Sequence, residues 1–188
     1  MTSILEYYTS RFGLPNREAE FTSSDDRKIA IYKWNPEQTD EGVTIYASVG
    51  AHTWLGNSKK SCEFFIGITP EVDDIVDAVA ETAIHGNGSM NVPSIGDTIT
   101  LSFPLWGGTE ARTFLFTGGN EIIPPIIIKK KDIIFIQLVP LFDGELQFKK
   151  TYSEEALWQA FEKKMIPYWS SERKEAILNM QLNRYKAL

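Results

Sequence analysis

The chain has 188 residues, of which 43% are hydrophobic and 12% aromatic, so it can build a sizeable core and is not a disordered polypeptide. Its net charge of −6 is unevenly placed: residues 149–188 hold 8 Lys/Arg and 5 Asp/Glu, and residues 1–148 hold 11 Lys/Arg and 20 Asp/Glu. This acidic body argues against direct binding of nucleic acid and is compatible with a basic protein partner or with ordinary solubility.

Several classes of protein are excluded by what the sequence lacks. No apolar run approaches the ~20 residues that cross a bilayer, and the amino terminus has no basic start and no small-residue cleavage site. Cys62 is the only cysteine, which excludes an internal disulfide and a zinc site built from cysteines. We therefore expect a cytoplasmic protein with no membrane association, no metal and no cofactor.

The first third of the chain predicts a helix followed by an antiparallel meander. Residues 3–12 place Leu5, Tyr8 and Phe12 on one helical stripe, which Gly13 ends. Apolar alternation and turn residues then predict four strands, at residues 19–22, 28–34, 43–48 and 63–68.

An amphipathic helix is predicted to begin at Thr69-Pro70-Glu71, with Thr69 as its N-cap, and to end at Gly86. Its acidic residues face away from the apolar stripe: Asp73, Asp74, Asp77 and Glu81. Three interpretations stay open for them, which are a solvated face, a partner contact and a cation site. The helix dipole favours acids in a first turn, and the spacing of a calcium loop is missing.

The second half predicts strands around one buried strand. Strands are expected at residues 98–103, 112–117, 126–130 and 132–139, the last two as a hairpin. Residues 133–139 are apolar except for Gln137, so we expect this strand at the centre of the sheet, buried on both faces. Pro140 is expected to end its pairing, because proline has no N–H to donate.

Residues 151–188 predict a helical C-terminal segment. Ser153 caps a helix that runs to about Ile166, and Ser170 or Ser171 begins a final helix. The first is expected to bury Leu157, Trp158, Phe161 and Met165, and the second Ile177, Leu178, Leu182 and Tyr185. The whole chain, 1–188, is thus predicted to be one α+β domain, with a mixed, mostly antiparallel central sheet, helices packed on it and a helical C terminus.

Few residues offer catalytic chemistry. His52 and His85 lie in a loop and at a helix end, and no recognised motif surrounds Cys62, whose ordinary role is a buried inert thiol. One alternative stays open, a small hydrolase or ligand-binding enzyme that uses His52, Cys62 or the Asp73/Asp74/Asp77 helix. Trp54 and Trp106 lie in glycine-containing loops, either as binding anchors or as lids on the core.

Short apolar blocks of the sequence resemble the suppressor of fused family. Residues 135–139 (FIQLV), followed by Glu145-Leu146, are similar to its Phe/Leu-Leu-Gln-Leu-Val block with a trailing acidic-Leu pair. Residues 46–51 (YASVGA) resemble its Thr-Tyr-Gly-Met-Ser strand, and residues 62–66 (CEFFI) its Arg-x-Glu-Leu-x-Ile/Leu strand. Order and spacing agree over about residues 25–165. Phe64 replaces the usual Leu, and Ser48-Val49-Gly50 departs from the commoner pattern, which leaves the subfamily and the partner open.

The resemblance implies a protein-binding domain without enzymatic activity. Animal members restrain a transcription factor in the cytoplasm, and bacterial single-domain members are regarded as immunity proteins against secreted toxins, often nucleases. The chain length resembles the bacterial kind, and nuclease toxins are basic. We therefore expect an immunity protein, or antitoxin, that binds a basic toxin domain, with Asp73, Asp74, Asp77, Glu81, Trp54 and Trp106 as candidate contacts.

Overall fold

A computed structural model describes residues 3–54, 59–86 and 92–178, and these form four α-helices and eight strands. In chain order they are α1 (Ile4–Phe12), β1 (Arg17–Thr22), β2 (Lys28–Trp34), β3 (Thr44–Val49), β4 (Lys60–Ile68), α2 (Ile75–Gly86), β5 (Thr98–Thr100), β6 (Thr113–Gly118), β7 (Ile126–Ile128), β8 (Lys131–Leu141), α3 (Asp143–Thr151) and α4 (Glu154–Lys163).

The strands form one sheet in the order β1-β2-β3-β4-β8-β6-β5, and β7 pairs with the start of β8. Every pairing in this sheet is antiparallel except that of β4 with β8, which is parallel and places Phe64 opposite Ile136. The predicted α+β class is therefore confirmed, with its mixed, mostly antiparallel sheet and the carboxy-terminal helices α3 and α4.

The central strand is β8, which has β4 on one side and β6 and β7 on the other. Ile133 and Phe135 are buried on one face, and Ile136 and Leu138 are buried on the other. Burial on both faces, predicted from the apolar run of this strand, is confirmed. The hairpin with β7 is confirmed as well.

Pro140 does not end the pairing of β8, contrary to the prediction. It lies opposite Phe114 of β6, and its carbonyl oxygen accepts a hydrogen bond of 2.7 Å from Arg173 Nη2. The N–H and C=O of a strand residue point to the same side, so the absent proline N–H would also point away from β6. The ladder with β4 has already ended at Gln137, and no strand bond is lost.

The alternation of side chains along β8 divides the core between two faces of the sheet. On one face α2 packs through Ile75 and Val79 against a cluster that includes Phe64 and Ile136. On the other face α1 covers the first half of β8 around Phe135, and α3 and α4 cover its far end. The residues of this last cluster are Leu115, Val139, Leu141, Phe148, Leu157, Phe161 and Ala176.

The amino-terminal elements lie close to their predicted positions, and α2 and β5 are shorter than predicted. The predicted N-cap of α2, Thr69, instead donates its N–H to the carbonyl of Trp169 and pairs with Ser170, and the helix begins at Ile75. Strand β5 ends at Thr100, since the chain from Leu101 onward leaves the regular ladder.

The carboxy-terminal part departs most from the sequence prediction. Helix α3 was not predicted, and α4 ends at Lys163, which leaves Met165 exposed instead of buried. The described residues 170–178 contain no helix, and Ile177 is exposed. Leu182 and Tyr185 lie outside the described residues.

A buried ion pair holds this carboxy-terminal segment against the sheet. Arg173 Nη1 and Nη2 donate to the two carboxylate oxygens of Glu145 at 2.6 and 2.9 Å, and both side chains are almost fully buried. The guanidinium also lies 4.7 Å from the ring centroid of Phe142. Glu145 accepts two further bonds, from the N–H groups of Phe142 and Ala176. An irregular path that brings Arg173 and Ala176 to Glu145 replaces the predicted helix.

A charge introduced into the central strand should prevent folding. Ile136→Asp buries an unpaired carboxylate, which costs several kcal/mol against a total stability of roughly 5–15 kcal/mol. We expect loss of soluble expression and of cooperative thermal unfolding. The matched control is Ile127→Asp in β7, where the side chain is 75% exposed and the substitution should be tolerated. Normal thermal unfolding of Ile136→Asp would contradict the central position of β8.

Removal of the buried guanidinium should destabilise the fold strongly. Arg173→Met leaves Glu145 charged and buried without its cation, which costs about 3–5 kcal/mol. Adding Glu145→Gln to this variant should recover part of the loss, because no buried charge remains. Urea unfolding of the two single variants and the double variant measures the coupling. Additive losses would show that the two groups do not act as a pair.

Candidate interaction surface

The sheet topology separates positive from negative charge. Strands β2, β4 and β8 run in the same direction, so their first residues meet at one end of the sheet. The basic end holds seven basic residues, which outnumber its acids Asp25, Asp26 and Asp132: Arg27, Lys28, Lys59, Lys60, Lys129, Lys130 and Lys131. The acidic end, where β2 and β4 finish and β3 starts, consists of Glu37, Asp40, Glu41, Glu71, Asp73 and Asp74.

Asp73 is the most connected carboxylate of the acidic end. It accepts hydrogen bonds from Lys33 Nζ at 2.6 Å, Arg17 Nη1 at 2.5 Å and the Tyr46 hydroxyl at 3.0 Å, and Glu71 lies 2.8 Å from Lys33 Nζ. The hydrogen bond from Lys33 lowers the pKa of Asp73 and outweighs the opposing effect of partial burial. Burial lowers the pKa of Lys33, but its bonds to Asp73 and Glu71 raise it overall. Asp73 therefore ties the segment before α2 to β1, β2 and β3.

The other acidic residues named from the sequence differ in accessibility. Asp74 is exposed but accepts a hydrogen bond of 2.5 Å from the N–H of Gly107. Asp77 is exposed and forms no ion pair with a described residue. Glu81 lies 3.0 Å from His85 Nε2, one helical turn further on. Asp77 and Glu81 thus form the open acidic face of α2, whereas Asp73 and Asp74 also stabilise the fold.

The two loop tryptophans do not join these acids in one patch. Trp106 is only 4% exposed and belongs to the core on the α2 face, so the lid interpretation holds for it. Trp54 is half-buried at the basic end, where the guanidinium of Arg27 lies 4.8 Å from its ring centroid.

A buried carboxylate that the sequence analysis did not single out lies near His52. Glu63 is fully buried and accepts bonds from the N–H groups of Gly50 and His52, at 2.9 and 3.0 Å, and from the Ser48 hydroxyl. His52 Nδ1 lies 2.5 Å from Glu63 Oε1. These contacts close the turn after β3. An acidic residue inside the apolar run CEFFI was the only sequence signal for them.

The groups named for the enzyme alternative do not converge. His52 lines a cavity of about 460 Å³ with Ile4, Val49 and Lys129, and this cavity contains neither Cys62 nor Asp73. Cys62 is buried in the core on the α2 face. Within the described ranges, no group of three or more His, Cys, Asp or Glu side chains is arranged to hold a metal, and no helix has the length and apolar character to span a membrane.

The ion pairs of Asp73 should make part of the stability depend on pH. Because the pKa of Asp73 is lowered by folding, its contribution is present above the unfolded-state value of about 3.9 and is lost as the pH falls through the folded-state value. We expect Asp73→Asn to lower the free energy of unfolding by about 1–2 kcal/mol at pH 7. The difference should disappear in acid, and Asp77→Asn should change little. A difference in urea unfolding that does not vary with pH would contradict this role.

Comparison with known proteins identifies the family. The sequence model of the suppressor of fused protein (SUFU) family matches residues 25–174. Among curated proteins, none matches the sequence.

Solved structures share the fold at low sequence identity. A suppressor of fused homologue from Neisseria gonorrhoeae has 22% identity and a TM-score of 0.68, and the match covers 93% of this chain and 95% of that one. A chain of the Sufu–Fu complex has 14% identity and a TM-score of 0.66, with 92% and 90% covered. Drosophila Suppressor of Fused has 12% identity and a TM-score of 0.68, and the match covers 93% of this chain but 50% of that protein.

The family match spans most of the chain, including the central strand and the Lys33–Asp73 and Arg173–Glu145 ion pairs. On this evidence, the chain belongs to the suppressor of fused family.

Proposed function

We propose that this protein is a cytoplasmic immunity protein that neutralises a cognate toxin by binding its basic toxin domain directly. The observation that carries the proposal is the acidic end of the sheet, where six carboxylates from two loops lie together. A negative surface attracts a positively charged domain and speeds its association. Toxins that act on nucleic acid carry such positive charge, because they must bind phosphates.

Membership in the family supports protein binding rather than catalysis. Suppressor of fused proteins are protein-interaction domains, and one relative was crystallised in complex with Fu. A bacterial homologue shares the fold over nearly its whole length. His52 lines a surface cavity and Cys62 is buried in the core on the α2 face, and their separation supports protein binding over the enzyme alternative.

The proposed contacts are Asp73, Asp74, Asp77 and Glu81, at the acidic end and along α2. Asp77 and Glu81 are the better targets for mutation, because Asp73 and Asp74 also hold β-strands and the Gly107 loop. Trp106 supports this surface from within the core. Trp54 lies at the opposite, basic end and is not included in the proposed interface.

Charge reversal on α2 should slow association with the toxin. We expect Asp77→Lys with Glu81→Lys to lower the association rate by up to about tenfold at low salt. The effect should fade as the salt rises, because at 0.15 M the screening length is only ~8 Å. The apolar stripe of α2 is unchanged, so folding should be retained.

The matched control is Glu155→Lys with Glu162→Lys on α4, which changes the net charge equally on the other face of the sheet. The measurement is the association rate with an inactive toxin domain encoded by the neighbouring gene, over a salt series. Equal rates for both double variants would remove α2 from the interface. Absence of a complex, together with no protection of cells from that toxin, would overturn the proposed function.

A further inference from the structure

A cavity of about 320 Å³ opens at the acidic end, on the sheet face that carries α1 and α4. Strands β4 and β8 provide Gly67 and Gln137, the loop before β3 provides Glu41 and Val43, and the segment after α4 provides Tyr168 and Trp169. Its volume is at the lower limit of small-molecule sites, roughly 300–1,000 Å³, which suits one long side chain better than a cofactor.

Gln137 places a polar group in the floor of this cavity. It is the one polar residue in the apolar run of β8 at residues 133–139. Along β8, Phe135 precedes Gln137 and is covered by α1, and Val139 follows it and packs in the α3–α4 cluster. Gln137 therefore lies in the gap between α1 and the α3–α4 cluster. Its side-chain amide forms no hydrogen bond with a described residue, and its oxygen is an available acceptor.

Two aromatic rings form one wall of the cavity. The rings of Tyr168 and Trp169 lie edge to face, with centroids 4.9 Å apart and planes at 84°. Trp169 is 43% exposed, unlike the buried Trp34 and Trp106. The face of an indole ring is the best aromatic partner for a cation.

Negative charge completes the site. Glu41 lines the cavity, and neither Glu41 nor Glu121 forms an ion pair with a described residue. Burial, and then the charges of Glu121 and Glu41, raise the pKa of Tyr168, in keeping with a position of both carboxylates near the aromatic wall. The cavity therefore combines an accessible indole, an unpaired carboxylate and a free amide oxygen.

We propose that this cavity binds an arginine side chain of the protein partner. A planar guanidinium can stack on Trp169, pair with the carboxylate of Glu41 and donate to the side-chain oxygen of Gln137. A lysine ammonium would use the charge but neither the stacking surface nor the fork of donors. This inference rests on the proposed function for the nature of the partner. It adds the site on this protein where an arginine of that partner binds.

The test uses the full chain and short capped peptides that contain arginine, lysine or the neutral isostere citrulline. Indole N–H signals of ¹⁵N-labelled protein report the binding, and Trp169→Phe assigns the signal of Trp169. We expect a saturable shift of that signal with the arginine peptide, a weaker response to lysine and none to citrulline. Glu41→Gln with Glu121→Gln should weaken arginine binding roughly fivefold or more.

Glu155→Gln with Glu162→Gln is the matched control and should bind the arginine peptide like the wild type, since these residues lie on α4 outside the cavity. No saturable shift, an equal response to citrulline, or tighter binding of lysine would overturn the proposal. A toxin complex that forms unchanged with Glu41→Gln and Glu121→Gln would overturn the arginine site and leave the immunity function standing. Specific arginine binding without any toxin complex would overturn the immunity function and leave the arginine site standing.

Discussion

The parallel pairing of β4 with β8 is the constraint on which the rest of the structure depends. It joins the amino-terminal meander to the strands of the carboxy-terminal half, which are distant in sequence. Parallel strands occur almost only where both faces of the sheet are covered. Here α2 covers one face, and α1 with α3 and α4 covers the other. The near-continuous apolar run of β8 is the sequence counterpart of this double burial.

The same pairing determines where charge lies on the surface. Because β2, β4 and β8 run in one direction, lysines that precede these strands meet at one end, and acidic residues that follow β2 and β4 meet at the other. The surface therefore has a basic end and an acidic end, although the net charge of the chain is only −6. The hydrogen bonds of Asp73 with Lys33 and Arg17 hold the acidic end in one arrangement, because they connect β1 and β2 to the segment before α2.

Buried ionic groups position the parts of the surface that the apolar core leaves undetermined. The Arg173–Glu145 pair holds the segment after α4, and with the Thr69–Ser170 bridge it places Tyr168 and Trp169 beside Gln137. A buried pair is weak evidence for stability in itself, but removing one partner is costly. The pair therefore helps to select one path for this irregular segment, together with the apolar contacts of Ile166, Tyr168 and Ala176.

The amino-acid sequence by itself determined the sheet class, the central strand, α1 and the approximate limits of β2, β3 and β4, because the periodicity of apolar residues reports burial over short distances. It also indicated the family, which the family match confirms. It did not reveal α3, the late start of α2 or the irregular path of residues 170–178, because these depend on partners far along the chain, such as Glu145 for Arg173 and Trp169 for Thr69. Tertiary structure alone likewise decided three features: the burial of Trp106, the ion pairs of Asp73 and the cavity at Gln137. Each depends on side chains from separate elements, and no local sequence pattern encodes their proximity.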